Sequence, residues 1–182
     1  GVPRSLETFR RLMTSRFVLQ KLHGFMEAVG VPCSDADVRH AVDRFLEIAR
    51  RGFCQRYSMA NFLFGATLGA DLVLICDDVK AFWAPERGKV MVTDMVTGQR
   101  VVTLLHEFAN FFPLYMAACS PTQIQANRER GAQETKHVTF SADVVVNERP
   151  TEAGAMFERM LFGRAVERHA TFPTAKLLLE WD

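Results

Sequence analysis

The sequence lacks several features that would assign it to a broad class. It has no apolar run of the roughly 18 residues that a membrane-spanning helix needs, so no membrane span is predicted. Its four cysteines include no C-x-x-C pair, which predicts reduced thiols in an intracellular, reducing compartment, either the cytosol or an organelle matrix. Its net charge of +1 gives no direct indication of nucleic-acid binding, because such proteins are usually clearly basic.

Several catalytic signatures are also missing. The segment Gly65–Gly69 lacks the lysine and the spacing of a phosphate-binding loop, and no G-x-S-x-G nucleophile motif occurs. Three histidines, His23, His40 and His169, have no neighbours at the spacing of metal ligands. The sequence therefore assigns these histidines no role in a site.

What is present indicates one globular domain. The chain has 182 residues, of which 48% are hydrophobic, and this length suits a single core. Within this domain, we expect a helical N-terminal part over residues 1–57, followed by the core of the domain over residues 58–182, which ends in a docking tail. Fifteen phenylalanines predict an aromatic-rich core.

The first third of the sequence predicts a pair of helices. Between Leu6 and Val29, apolar residues recur at steps of three and four, and Gly30 and Pro32 end this helix. Ser34 is the expected N-cap of the second helix, whose apolar stripe runs over Val38–Ala49.

The middle and the end of the chain predict a small sheet and two contact surfaces. Asp71–Cys76 and His137–Val146 have the composition of strands, and Lys89–Thr93 is either a short strand or the approach to a helix. The polar loop Ser120–Thr135 and the apolar tail Ala175–Trp181 are the expected surfaces for protein partners.

One segment, Val101–Phe112, predicts a buried central helix. It is apolar on nearly every face and is expected to start near Thr97 or Gly98. Pro113 follows directly and must kink or end the helix, because it lacks an N–H and clashes with the carbonyl group four residues back.

This helix carries part of a zinc-protease pattern. In that pattern, two histidines at positions i and i+4 lie on one face of a helix and bind one zinc ion. A glutamate directly after the first histidine acts as the general base. Here His106 and Glu107 match, whereas Asn110 stands where the second histidine would be.

The run V-V-T-L-L-H-E-F-A-N-F-F (Val101–Phe112) resembles the active-site helix of HExxH zinc metallopeptidase-like (zincin-like) domains. The later run T-E-A-G-A-M-F-E-R-M-L-F-G (Thr151–Gly163) resembles an E-[SA]-G-x-x-[FL]-E-x-x-L-F-G segment of large, uncharacterised protist proteins with such a domain. The resemblance covers roughly residues 60–163. It implies an α+β, zincin-like fold, with His106 as the first metal ligand, Glu107 as the general base and Glu152 as a further ligand.

Asn110 departs from this pattern, since an amide oxygen is a weaker zinc ligand than imidazole. We therefore expect a degenerate, catalytically inactive metallopeptidase-like domain without a cofactor, acting as a structural or interaction subunit of a larger assembly. One alternative is an active metal-dependent hydrolase, in which His106, Glu152 and either Asn110 or His137 hold zinc and Glu107 is the base. Another is a purely structural helical scaffold.

Each of these residues also has an interpretation without a site. His106 can be a buried histidine bonded to a backbone carbonyl group. Glu107 can pair with an arginine such as Arg100 or Arg159, because a buried carboxylate needs a partner. Asn110 can bond to His106 one turn back, and Glu152 can be an ordinary helix N-terminal residue.

Overall fold

The computed structural model describes residues 2–54, 65–76, 89–119, 143–146 and 149–164. These residues form a helix-rich structure with two small sheets, which agrees with the α+β class. The predicted contact surfaces at 120–135 and 175–181 lie outside the described residues, and so does His137.

The N-terminal segment predicted as one helix is two helices, α1 (Val2–Leu12) and α2 (Arg16–Ala28). The break comes from side chains that bond to the backbone. The Ser15 hydroxyl donates to the Leu12 carbonyl oxygen at 2.7 Å, and its oxygen accepts the N–H of Val18 as an N-cap. Hydroxyl side chains that bond locally favour such ends, and the apolar periodicity across the break concealed this one.

The second predicted helix is confirmed as α3 (Asp35–Arg51). Ser34 is its N-cap and forms a capping box, in which Ser34 accepts the backbone N–H of Asp37 at 3.1 Å and Asp37 accepts that of Ser34 at 2.8 Å. This reciprocal pairing satisfies backbone N–H groups that a helix start otherwise leaves unpaired.

The predicted strand at 71–76 is confirmed in a shorter form, and it belongs to a three-stranded sheet. The strands are β1 (Phe53–Cys54), β2 (Gly65–Thr67) and β3 (Val73–Cys76), in the order β1-β3-β2. β1 runs parallel to β3, and β2 runs antiparallel to it.

The described end of the predicted strand near 137–146 does not join that sheet. The structure describes its end as β4 (Asp143–Val146), which pairs antiparallel with β5 (Arg149–Glu152) in a separate two-stranded sheet. The second strand of this hairpin leads directly into the last described helix. The hairpin therefore sets the position of Glu152 at the start of that helix.

The central helix is longer than the sequence indicated. α4 runs from Lys89 to Cys119 and passes through Pro113. It includes the segment 89–93, which is therefore helical and not the short strand that was one of its two predicted structures. Of the two effects expected of Pro113, ending the helix does not occur, because α4 continues to Cys119. Phe111 and Phe112 before it are fully buried, and Tyr115 and Met116 after it pack against the core, so tertiary packing holds the helix across the proline.

α4 lies at the centre of the described structure. It packs against α1, α3, β2, β3 and the last helix, α5 (Ala153–Phe162). Its segment Val96–Ala118 is long and apolar enough to cross a membrane, but 61% of it is buried inside the protein. A mostly buried core helix of a globular domain meets the same criteria of length and hydropathy.

The core between these helices is aromatic, as the composition predicted. Phe45 contacts Phe9 and Phe108 with ring centroids 5.3 Å away in each case, and Phe108 stacks on Phe112 at 5.2 Å. Phe25 of α2 contacts Phe157 of α5 at 5.5 Å. These contacts fix α4 and α5 in the positions that bring their polar side chains together.

Candidate functional site

A cluster of polar side chains lies between α4 and α5, and we call it the His106 cluster. Its members are His106, Glu107 and Asn110 from α4, and Glu152 and Glu158 from the start and the middle of α5. His106 and Asn110 lie one helical turn apart, so both face α5. Glu152, at the N-cap of α5, faces them from the other side of the contact.

His106 is bound by two carboxylates. Its Nε2 lies 3.2 Å from Glu152 Oε1, and its Nδ1 lies 3.3 Å from Glu158 Oε1. The alternative of a histidine bonded to a backbone carbonyl group is therefore wrong. Since each ring nitrogen faces a carboxylate oxygen, the ring is held in one orientation and joins the start and the middle of α5 to α4.

Glu152 combines the two roles that the sequence presented as alternatives. Its Oε2 accepts the N–H of Ala155 at 2.6 Å and its Oε1 accepts that of Gly154 at 3.2 Å, so it caps α5 as an ordinary N-terminal residue does. Oε1 also faces His106. The helix cap and the contact with the imidazole are made by one carboxylate.

Asn110 uses both of its polar atoms within the protein. Its Oδ1 accepts the backbone N–H of Gly154 at 2.7 Å, and its Nδ2 donates to Glu107 Oε2 at 3.4 Å. The expected bond from Asn110 to His106 is replaced by these two contacts. The amide thereby links the start of α5 to the buried carboxyl group of α4.

Glu107 is nearly fully buried, with an exposed fraction of 3%. The Thr67 hydroxyl of β2 contacts its Oε2 at 2.6 Å and its backbone carbonyl oxygen at 3.2 Å. Its other oxygen, Oε1, lies 4.0 Å from His106 Nε2. The partners of Glu107 are thus a threonine and an asparagine in addition to the imidazole, and not the predicted arginine.

Two glycines allow this close approach. A Cβ atom at Gly154 would overlap the Cδ2, Nε2 and Cγ atoms of the His106 ring. A Cβ atom at Gly65 of β2 would come within 2.9 Å of Glu107 Cγ and 2.8 Å of Thr103 Cγ2. The absence of a side chain at these positions lets the imidazole lie on the α5 backbone and lets β2 lie against α4.

The electrostatics of the cluster follow from its burial and its three carboxyl groups. Burial alone would lower the pKa of His106, but the hydrogen bonds with Glu152 and Glu158 and the charge of Glu107 raise it to about 10. Burial raises the pKa of Glu107 above its usual value. Burial acts upward on the pKa of Glu152 as well, yet its contact with His106 lowers that pKa overall. The His106 ring is therefore the cation of the cluster at neutral pH.

The structure brings together all four residues that the sequence singled out, namely His106, Glu107, Asn110 and Glu152. Sequence reasoning missed Glu158, Thr67 and Gly154 as members of this arrangement. Glu158 lies beside Phe157 on the buried side of α5, and a glutamate in that apolar setting was the available signal. Nothing in the sequence around Thr67 pointed to Glu107, which is 40 positions away.

The donors at this site do not make up a complete zinc centre. Zinc–ligand bonds of about 2.0–2.2 Å place two ligands of a tetrahedral ion roughly 3.3 Å apart, and His106 Nε2 and Glu152 Oε1 have that spacing. The Asn110 oxygen is already bonded to Gly154. Among the described residues, no group of three or more His, Cys, Asp or Glu side chains is arranged to hold a metal ion. The assignment of metal ligands and of Glu107 as a base therefore stays a prediction.

Comparisons with protein-family models, with curated proteins and with solved structures gave no match for this chain.

Proposed function

We propose that the chain is a zincin-like domain that has lost catalysis and acts as a structural or interaction subunit of a larger assembly. The observation that carries this proposal is the bonding of Asn110. At the position of the second metal ligand, this residue binds Gly154 and Glu107 with its two polar atoms, which is a structural use of the position.

The bonding of His106 supports the same proposal. Each of its ring nitrogens lies within 3.3 Å of a carboxylate oxygen. In a zinc site, one nitrogen of the imidazole binds the metal. Here both nitrogens are used in contacts with carboxylates of the protein.

A structural role follows from what the cluster joins. Its hydrogen bonds connect α4 to the start of α5 through Gly154, to the middle of α5 through Glu158, and to β2 through Thr67. Buried polar groups that are fully bonded make a contact specific, because any displaced arrangement leaves one of them unpaired. The cluster thus selects one arrangement of helix, helix and strand.

Metal analysis of Asn110→His tests the proposal. We expect the His106 cluster of the wild-type protein to hold no stoichiometric zinc, since the described residues of this cluster offer too few donors. We expect Asn110→His, which restores the H-E-x-x-H pattern, to bind zinc together with His106 and Glu152. Ala118→His places a histidine on an exposed turn of the same helix and serves as the matched control that gains no zinc.

Two results would contradict the proposal. Stoichiometric zinc in the wild-type protein, lost in His106→Ala, would instead favour an active metal-dependent hydrolase. The observation that favours this alternative is the distance between His106 Nε2 and Glu152 Oε1, which suits two ligands of one zinc ion. A folded Asn110→His variant that binds no more zinc than Ala118→His would favour a helical scaffold without a metallopeptidase ancestry. Circular dichroism establishes that both variants are folded.

A further inference from the structure

A second group of reactive side chains lies away from the His106 cluster, where α2 turns into α3. His23 of α2 has its Nδ1 atom 3.6 Å from Cys33 Sγ and its Nε2 atom 2.7 Å from Asp35 Oδ1. Cys33 is a free, half-buried thiol. Sequence spacing assigned His23 no role in a site, because Cys33 and Asp35 stand 10 and 12 positions away from it.

Two helix ends bring these residues together. Gly30 ends α2 with a positive φ of 77°, and the N–H of Val31 bonds to the Met26 carbonyl oxygen at 2.8 Å, which turns the chain back along the helix. The Ser34 capping box then fixes the start of α3. Cys33 is thereby held beside His23 by backbone geometry on both sides.

The spacing of Cys33 and His23 matches that of two ligands on one metal ion. A zinc–sulfur bond of about 2.3 Å and a zinc–nitrogen bond of about 2.0–2.1 Å, at a tetrahedral angle, place sulfur and nitrogen roughly 3.6 Å apart. The observed distance is 3.6 Å. The same two atoms can share the thiol hydrogen when no metal is bound.

Asp35 supplies the outer contact that metal-binding histidines usually have. A carboxylate that accepts one ring N–H leaves the other nitrogen unprotonated and aims it at the metal. Here Asp35 faces Nε2, so the lone pair of Nδ1 points toward Cys33. Because the His23 side chain is 33% exposed, an ion can reach this nitrogen from solvent.

The charges around Cys33 favour a cation over a nucleophilic thiolate. Asp35 and Asp37 stand in the first turn of α3, two and four positions after Cys33. Their negative charges disfavour a free thiolate beside them and attract a cation. A bound cation in turn deprotonates the thiol that binds it.

We propose that Cys33 Sγ and His23 Nδ1 bind a thiophilic divalent metal ion of the zinc class, with Asp35 orienting the imidazole. The chain supplies two ligands and water completes the coordination, so the affinity is lower than that of a closed site with four protein ligands. Binding releases the thiol proton to the solvent.

Cobalt(II) is the probe for this site, because a cobalt–thiolate bond gives a charge-transfer absorption that carboxylate and imidazole ligands do not give. We expect this absorption in the wild-type protein and its loss in Cys33→Ser. Asp35→Asn is expected to retain the absorption with an affinity lowered roughly 10- to 100-fold. His40→Gln, a change at an exposed histidine of α3, is the matched control and leaves the titration unchanged.

The proposal is overturned if excess cobalt gives no thiolate absorption, or if the absorption survives in Cys33→Ser. It is also overturned if His23→Gln binds cobalt as tightly as the wild-type protein does. Melting curves in the absence of metal verify that each variant folds. His106→Ala is expected to keep the absorption, so the outcome is independent of the function proposed for the His106 cluster.

Discussion

The contact between Gly154 and His106 gives the sharpest stability prediction. Gly154 lies in the first turn of α5, where its backbone N–H bonds to Asn110 and its Cα faces the His106 ring. In Gly154→Ala, the new methyl group would overlap three atoms of that ring. The ring must move, and it cannot move without losing its contact with Glu152 or with Glu158.

The magnitude follows from three contributions. Forcing an extra methyl group into a packed site costs about 1–3 kcal/mol, and losing one hydrogen bond to a charged group costs about 1.5–3 kcal/mol. The higher helix propensity of alanine offsets up to about 1 kcal/mol. We therefore expect Gly154→Ala to lower the free energy of unfolding by roughly 2–5 kcal/mol.

Urea denaturation followed by circular dichroism measures this change. With an m-value of about 2 kcal/mol/M, the midpoint should fall by roughly 1–2.5 M while the slope stays the same. Gly24→Ala is the matched control, because a Cβ atom at this α2 position meets only Met160 Cε, at 3.5 Å. This control should be neutral or up to about 1 kcal/mol more stable.

The reasoning is refuted if Gly154→Ala unfolds within about 0.5 kcal/mol of the wild-type protein, which is the range of ordinary surface substitutions. It is equally refuted if Gly24→Ala is destabilised as much as Gly154→Ala, since the cost would then reflect any added methyl group in a helix rather than the contact with His106.

Three further predictions use the same denaturation assay. The pKa of His106 is raised to about 10 from an ordinary value near 6.5, so the stabilisation from its positive charge is fully present below about pH 6.5 and is lost as the pH rises to 10. Between about pH 6.5 and 10, the wild-type protein should therefore lose more stability than His106→Gln. Equal losses in the two proteins would contradict this prediction. Thr67→Val removes the hydroxyl that bonds Glu107 at 2.6 Å and should cost about 1.5–3 kcal/mol, whereas Thr67→Ser should retain most of the stability. Ser34→Ala breaks the capping box with Asp37 and should cost about 1 kcal/mol; no change would show that the cap is replaceable by water.

Local features of the fold were readable from the sequence. The start of α3 at Ser34, for example, depends on capping chemistry within a few neighbouring residues. Periodicity alone did not reveal the break at Ser15, because the apolar spacing continues through it. The passage of α4 through Pro113 was decided by packing of the flanking aromatic residues, which no local rule contains.

The sequence by itself determined that His106 and Asn110 share one face of a buried helix and that Glu107 lies beside that face, because helical spacing fixes their relative directions. It also placed Glu152 at a helix start. Only the tertiary structure decided which groups these side chains meet. Glu158 and Gly154 reach His106 because α5 packs on α4, and Thr67 reaches Glu107 because β2 lies on its other side. Such contacts depend on how distant segments pack, and sequence spacing carries no record of that.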